Sequence, residues 1–467
     1  MDSPRAETPP IAPPLDPCFQ PAALENRRFV EAALATDASV PLTLAMEQTD
    51  GSIFHSATDL FPATHPRATQ NFNHVERLIK FLLWSRGGFR VHLAGDAATT
   101  QALAQQLRAY YRDTAAGQFD ASVIAGKIFG RPLEMVCAQE APPERSHSAP
   151  LGRHLEGCRI GFDLGGSDRK VAAVQDGRVV FSEETVWDPY FQSDPRYHYE
   201  GIVDSLRKAA AHLPRVDAIG GSAAGCYVNN RVKVSSLFRG VSEADFDTHV
   251  RDLFLRLQRE WNVPLVVVND GEVTALAGSM SLRQNAVLGI AMGTSQAAGF
   301  VTRQGHITSW LNELAFAPVE HRDGTPVDEW SGDRGCGAQY FSQQAVGRLL
   351  APAGIVAAPD LPLPEQLKLL QSHMDTGDAR AVAVYETLGV YLGYGLAHYA
   401  AHYDFDHVLV LGRVTSGAGG EVILQRARAV LAAQFPELAA RIALHMPDET
   451  DKRHGQAVAA ASLPAMR

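Results

Sequence analysis

One pattern occurs twice in this chain: an apolar strand, a glycine-and-polar turn, a second apolar strand, then a tight closing turn. The first copy runs from Arg159 to Leu164, turns at Gly165-Gly166-Ser167, continues from Asp168 to Val174 and closes at Asp176-Gly177. The second runs from Val287 to Met292, turns at Gly293-Thr294-Ser295, continues from Gln296 to Val301 and closes at Gln304-Gly305. Asp-Gly between two apolar runs is a strong hairpin signal. A glycine-rich hairpin turn leaves backbone N–H groups bare, and concave arrays of such donors bind phosphate oxygens. Two copies predict a duplicated fold that clamps a polyphosphate from both sides. Only the first copy carries a carboxylate, Asp163, at its turn, so one half would manage a metal ion while the other cradles phosphate.

At 467 residues the chain predicts two or three domains. A net charge of −10 and the lack of any Lys/Arg run argue against nucleic acid as a partner. The five cysteines, Cys18, Cys137, Cys158, Cys226 and Cys336, are scattered and contain no C-x-x-C pair. That usage reads as reduced thiols in a cytoplasmic setting. No apolar run is long enough to span a bilayer, and the start, Met1-Asp2-Ser3-Pro4, lacks the basic segment and apolar core of a signal peptide.

Residues 1–18 are Pro-rich and read as a flexible tail. Residues 19–150 read as a small α+β accessory domain ending in a polar, Pro-containing linker. In it, Pro41–Met46 and Ile53–Ala57 flank Asp50-Gly51 as a hairpin, Val75–Trp84 and Thr99–Tyr111 have helical spacing, and Phe89–Ala94 reads as a strand. The main body alternates strands and helices. Val216–Gly220 is a strand, a helix is expected from Glu243 to Glu260, and Pro264–Val268 is the continuous apolar run of a buried parallel strand. A helix through Ala275–Ala277, a long one over Ala379–Tyr403, a strand Val408–Leu411 and a helix over Glu421–Ala433 follow. Such alternation argues for α/β layers.

In this order the motifs resemble those of the actin/hexokinase-type ATPase fold and, more narrowly, the ROK family of sugar kinases and sugar-responsive repressors. The resemblance covers roughly Gly157 to the C terminus. Asp163–Lys170 resembles the first phosphate motif, although its D-x-G-x-S-x-x-K spacing is closer to other branches of the fold. Gly289–Val301 resembles the second. Gly393–Ala397 followed by Val408–Gly412 resembles the helix and strand that shape the adenosine site, and His454–Ala461 the closing helix. The resemblance implies an α/β, two-lobed, ribonuclease-H-like duplicated fold behind the α+β module: one lobe over 151–285, completed by a C-terminal helix at 452–467, and the other over 286–451. It also implies ATP as co-substrate, Mg²⁺, a small-molecule sugar, and homodimers among the assemblies to expect.

Asn269-Asp270 at a strand end matches the place where this family keeps a sugar contact and its catalytic base. A sugar hydroxyl needs a positioned base to take its proton during attack. The alternative for Asp270 is a helix N-cap. Asp163 would orient Mg²⁺ through water, since Mg²⁺ keeps several waters and binds nucleotide phosphates; the alternative is a plain turn carboxylate. Gly165, Gly166, Ser167, Lys170, Gly293 and Thr294 would contact phosphates, with Lys170 equally readable as a solvated strand-edge lysine. Gly412 would leave room for the nucleotide, or is an ordinary strand-to-helix glycine.

The chain also departs from the family pattern. Leu311-Asn312-Glu313-Leu314-Ala315-Phe316 stands where typical members have Gly-Glu-x-Gly-His. Glu313 keeps the sugar-binding glutamate, Asn312 is expected to contact the sugar with it, and Phe316 replaces a zinc-binding histidine. Cys336 is retained without the other cysteines, and a structural zinc site needs four N/S ligands, so no zinc is expected. Ala338 stands where a second sugar-binding glutamate usually lies. Trp330 reads as a loop tryptophan packed on the core, with stacking on a sugar ring as the alternative. In the second turn Ala297-Ala298 replace glycines, and Gly412-Arg413 replaces a glycine pair. The expectation is an ATP-dependent sugar kinase; the alternatives are a non-catalytic sugar sensor and an activator-type ATPase of the same broad fold.

Overall fold

The computed structural model describes residues 9–146, 151–446 and 455–466. The outer part of the expected tail, the end of the linker and the start of the expected closing helix, including His454, lie outside them. Among the described residues no helix is long and apolar enough to cross a membrane.

The N-terminal segment contains α1 (Ala22–Leu34), β1 (Val40–Glu47), β2 (Ile53–Leu60), α2 (Asn71–Ser85), β3 (Arg90–Gly95), α3 (Ala97–Asp113), α4 (Ala115–Asp120) and β4 (Glu134–Ala138). Its sheet has the order β2-β1-β3-β4. The expected hairpin forms, with Asp50 accepting from the Ser52 N–H at 2.8 Å. The core of this segment is continuous with that of the C-terminal half. One continuous apolar cluster joins Leu44, Ile79, Leu83, Val91 and Leu107 to Leu288, Phe341, Leu392 and Val410 from the C-terminal half. The expectation of a flexible tail through residue 18 is corrected from residue 9 onward. Ile11 N–H donates to the Tyr394 hydroxyl at 3.3 Å, and Tyr391 donates to Asp16 at 2.8 Å. Phe19 packs on Tyr391 with ring centroids 4.7 Å apart. The apolar side chains in this stretch have aromatic partners far along the chain, which composition alone does not reveal.

The next unit contains β5 (Cys158–Leu164), β6 (Asp168–Gln175), β7 (Arg178–Val186), α5 (Pro195–Ala210), β8 (Ala218–Ala223), β9 (Cys226–Val228), β10 (Arg231–Val234), α6 (Glu243–Asp245), α7 (Leu253–Trp261), β11 (Leu265–Asn269) and α8 (Asp270–Leu282). The sheet order is β11-β8-β5-β6-β7, parallel on the β11-β8-β5 side and antiparallel through β6 and β7. The single helix expected from Glu243 to Glu260 is broken. A wide π-type turn over Phe246–Val250 separates α6 from α7, closed by Arg251 N–H to Phe246 O at 2.9 Å.

The last unit contains β12 (Val287–Met292), β13 (Gln296–Val301), α9 (Gln343–Leu350), α10 (Leu363–Asp375), α11 (Ala379–Ala400), β14 (His407–Leu411), α12 (Ala418–Gln434), α13 (Pro436–Arg441), β15 (Ala443–His445) and α14 (Gly455–Ala461). Its sheet order is β13-β12-β14-β15, with β12/β13 antiparallel and the others parallel. A hairpin whose first strand carries parallel neighbours on its far side therefore occurs twice, which is the duplication the repeated motif predicts. Helix α14 returns to the sheet that holds β5 and β8. A Cβ at Gly161 would collide with the Ala457 carbonyl, and one at Gly220 with the Ala460 carbonyl, so bare backbone at both strands admits the helix. Helix α8 packs on both β12 and β13 and against α14, placing its N-terminus between the two sheets.

Candidate active site at the ends of the parallel strands

In open α/β sheets, ligands bind beyond the carboxyl ends of the parallel strands. Here those ends deliver Asp163 from β5, Ser222 from β8 and Asn269-Asp270 from β11, and the register pairs Asp163 with Ser222. The Ser222 hydroxyl donates to Asp163 at 2.5 Å. Asp163 is 8% exposed, and burial pushes its carboxyl up against the pull of Ser222 and Lys170.

Asn269, not Asp270, caps α8. Its Oδ1 accepts from the Gly271 N–H at 2.7 Å, and its Nδ2 donates to the Gly225 carbonyl at 2.9 Å. Asp270 is the first helical residue, with Oδ1 3.0 Å from the same Gly271 N–H. Burial, with the Asp163 charge adding to it, pushes the Asp270 carboxyl up to about 6. The helix terminus favours the anion, but desolvation wins. The result is a carboxyl poised near neutral pH, as a general base requires.

Two further carboxyls stand beside it. Burial, with the Asp270 charge adding, pushes Glu313 up to about 7, and Cys226 Sγ donates to Glu313 Oε1 at 3.4 Å. Burial pushes Glu272 up to about 8, although the Asn312 amide and the Phe300 N–H donate to it. Asn312 departs from the expectation of a sugar contact. It is 2% exposed, its Nδ2 is turned to Glu272 and its Oδ1 takes the Tyr403 hydroxyl at 2.7 Å.

The two glycine turns lie at the tips of β5/β6 and β12/β13. The first N–H of each closes its own turn, Gly165 to Asp168 O and Gly293 to Ser295 O, both at 3.0 Å. Within these two turns the N–H groups left for a ligand are those of Gly166, Ser167, Thr294 and Ser295, fewer than the bare turns predict. Lys170 pairs with Asp168 at 3.1 Å, and that bond holds its ammonium above the usual range although burial opposes it. Gly412 has φ 106°, and a Cβ there would sit 2.5 Å from the Met292 carbonyl, so the glycine is explained by strand packing without a nucleotide.

Phe316 packs on Trp84, with ring centroids 4.4 Å apart, and Trp330 stacks on it while remaining 65% exposed. Cys336 is buried beside the Lys80 ammonium, which binds Asp120 at 3.0 Å and Asp333 at 2.7 Å. Clefts of about 590 Å³ beneath α1 and α2 and about 770 Å³ between Lys127 and β10 lie elsewhere. Asp163, Asp270 and Glu313 line neither of them. Residue types alone do not single out Glu272, Cys226, Ser222 or Tyr403. The one available signal is the placement of Glu272 two residues after Asp270 in the first turn of a helix.

No protein-family model matches the chain. Over 286 residues it is 24% identical to a glucokinase of Halalkalibacterium halodurans, spanning 57% of this chain and 82% of that one. The ROK hexokinase from Thermus thermophilus superposes with a TM-score of 0.51 at 18% identity, over 65% of this chain and 96% of the hexokinase. A ROK family transcriptional regulator, described as a homologue of the E. coli MLC protein, superposes with a TM-score of 0.52 at 17% identity, over 66% of this chain and 78% of its own. The fold is that of the ROK proteins. About a third of this chain lies outside what it shares with these ROK structures.

Proposed function

We propose that this chain is an ATP-dependent carbohydrate kinase that transfers the γ-phosphoryl group to a sugar hydroxyl. The observation that carries the reading is Asp270: a carboxyl at the start of a helix capped by Asn269, raised to about 6 beside Asp163. The similarity to a glucokinase supports it.

In this reading Asp270 accepts the hydroxyl proton as the sugar oxygen bonds to the γ-phosphorus and the bond to the ADP oxygen breaks. Glu313 holds the sugar, and the amide N–H that Asn269 does not spend on Gly225 is left for a hydroxyl. The tips at Gly166-Ser167 and Thr294-Ser295 face the phosphates. A divalent cation suits the site because the Asp163 charge adds to the cost of ionising Asp270. Among the described residues no group of three or more ligating side chains forms a cage. Mg²⁺ would be held through water by Asp163, where it would neutralise phosphate charge.

A sugar sensor is the second reading. It is favoured by turn donors spent inside the turns, by the Lys170–Asp168 pair, and by the fold shared with a regulator. ADP release from Mg–ATP across hexoses, amino sugars and N-acetyl sugars, with ATP binding measured in parallel, separates the two. Sugar-dependent turnover lost in Asp270→Asn is the expected result. Sugar binding without ATP binding would establish the sensor instead.

A further inference from the structure

The N-terminal segment reaches the candidate site through the end of α2. The last carbonyls of a helix have no partner within it. Here Trp84, Ser85 and Arg86 accept the N–H groups of Glu313, Asn312 and Leu311 at 3.0, 3.0 and 3.3 Å. Gly87 follows with φ 78°, the left-handed position that ends a helix, and a Cβ on it would fall 2.7 Å from Leu311 Cγ. The loop that carries Glu313 is thus bonded residue by residue to the terminus of α2.

One side chain braces this junction. The Arg86 guanidinium lies 3.6 Å from the Trp310 ring centroid and 4.4 Å from that of Tyr403, and donates to the His402 carbonyl. The Gln48 amide holds the Arg86 carbonyl at 2.7 Å. Tyr403 in turn donates to Asn312, the left-handed residue (φ 51°) immediately before Glu313.

We infer that the N-terminal segment is a working part of the sugar site, with Arg86 as a positioning residue that sets the Glu313 carboxylate through Trp310, Tyr403 and Asn312. This rests on the kinase reading only for what Glu313 binds. The geometry reaches Cys226 as well, whose thiol donates to Glu313. Loss of the brace frees the loop, withdraws Glu313 and uncovers that thiol.

The test uses the full chain with Arg86→Met and Arg86→Lys. Iodoacetamide labelling is resolved by peptide mass, with buried Cys158 and Cys336 as internal controls for global opening. Cys226 labelling is expected to rise about tenfold in Arg86→Met, and less in Arg86→Lys, with both controls unchanged. On a sugar that the parent turns over, KM for sugar is expected to rise about tenfold while kcat and KM for ATP stay within about twofold. If both controls open, Tyr403→Phe decides, because it removes only the hydroxyl bonded to Asn312. Unchanged Cys226 labelling in Arg86→Met, or in Tyr403→Phe where that variant decides, overturns the inference. Raised labelling with no sugar turned over even by the parent upholds the positioning and overturns the kinase reading.

Discussion

The backbone N–H of Glu313 donates to the carbonyl oxygen of Trp84 at 3.0 Å. A glutamate beside the raised Asp270 carboxyl is therefore seated on the end of a helix from the opposite end of the chain. Trp84 itself is buried and donates its indole N–H to Asp120 at 2.8 Å. The same helix carries Lys80, whose ammonium joins Asp120 of the N-terminal segment to Asp333 of the C-terminal half. The site and the junction between the two parts of the molecule share one support.

Asp270→Asn is expected to lower kcat by about 10²–10⁴-fold, the range of a lost general base, with stability little changed. In the parent, kcat/KM is expected to fall about tenfold per pH unit once pH drops below about 6, because the raised carboxyl is then protonated and takes no proton. A pH–rate profile flat down to pH 4.5 would remove Asp270 from this role.

Glu272→Gln is expected to stabilise the protein at alkaline pH. The folded pKa of about 8 lies above the ordinary value of 4.5, so this group favours the folded state most below 4.5 and that contribution is lost as pH rises through 8. The amide oxygen keeps an acceptor for Asn312 without a buried charge, and only the long 3.4 Å bond from the Phe300 N–H is given up. Thermal unfolding at pH 9 would show Tm about 2 °C or more above the parent, with a weaker pH dependence between 5 and 8. Equal Tm values at pH 9 would mean that Glu272 carries no such penalty.

Lys80→Met is expected to cost about 3–5 kcal/mol, because it leaves two buried carboxylates without their shared ammonium. Adding Asp120→Asn should restore part of the loss, since Arg77, 3.0 Å from Asp333, still serves the other carboxylate. Urea unfolding of the single and double variants measures both.

Gly161→Ala and Gly220→Ala are each expected to cost about 1–3 kcal/mol, because the new methyl meets the backbone of α14 rather than a side chain that could turn aside. Urea midpoints equal to the parent in both would show that the helix has room to shift.

Chelation is expected to leave Tm unchanged to within about 1 °C, because Cys336 faces the Lys80 ammonium and Phe316 is packed between Trp84 and Trp330. Elemental analysis showing one tightly held zinc per chain would contradict this.

Much of the duplicated core was legible locally. Asp-Gly and glycine-rich turns between apolar runs located β5/β6 and β12/β13, and an apolar run ending in Asn-Asp located β11 and the start of α8. Even there, sequence left open whether Asp270 was base or cap. The bonds of Asn269 to Gly271 and Gly225 answer the capping half of that question. Asn312 looked like a substrate contact because it adjoins Glu313, and only its bonds to Glu272 and Tyr403 show the side chain occupied.

Short-range chemistry is enough to dictate the paired hairpins, the parallel strands and the carboxylates at their ends. The remaining features depend on contacts between distant parts of the chain. Residues 9–18 are ordered by aromatic side chains of α11, the N-terminal sheet completes its core against the C-terminal half, and Glu313 hangs from α2. The physical reason is that periodicity reports which face of an element is apolar but not which distant face covers it. Backbone carbonyls at a helix end carry no residue type to read.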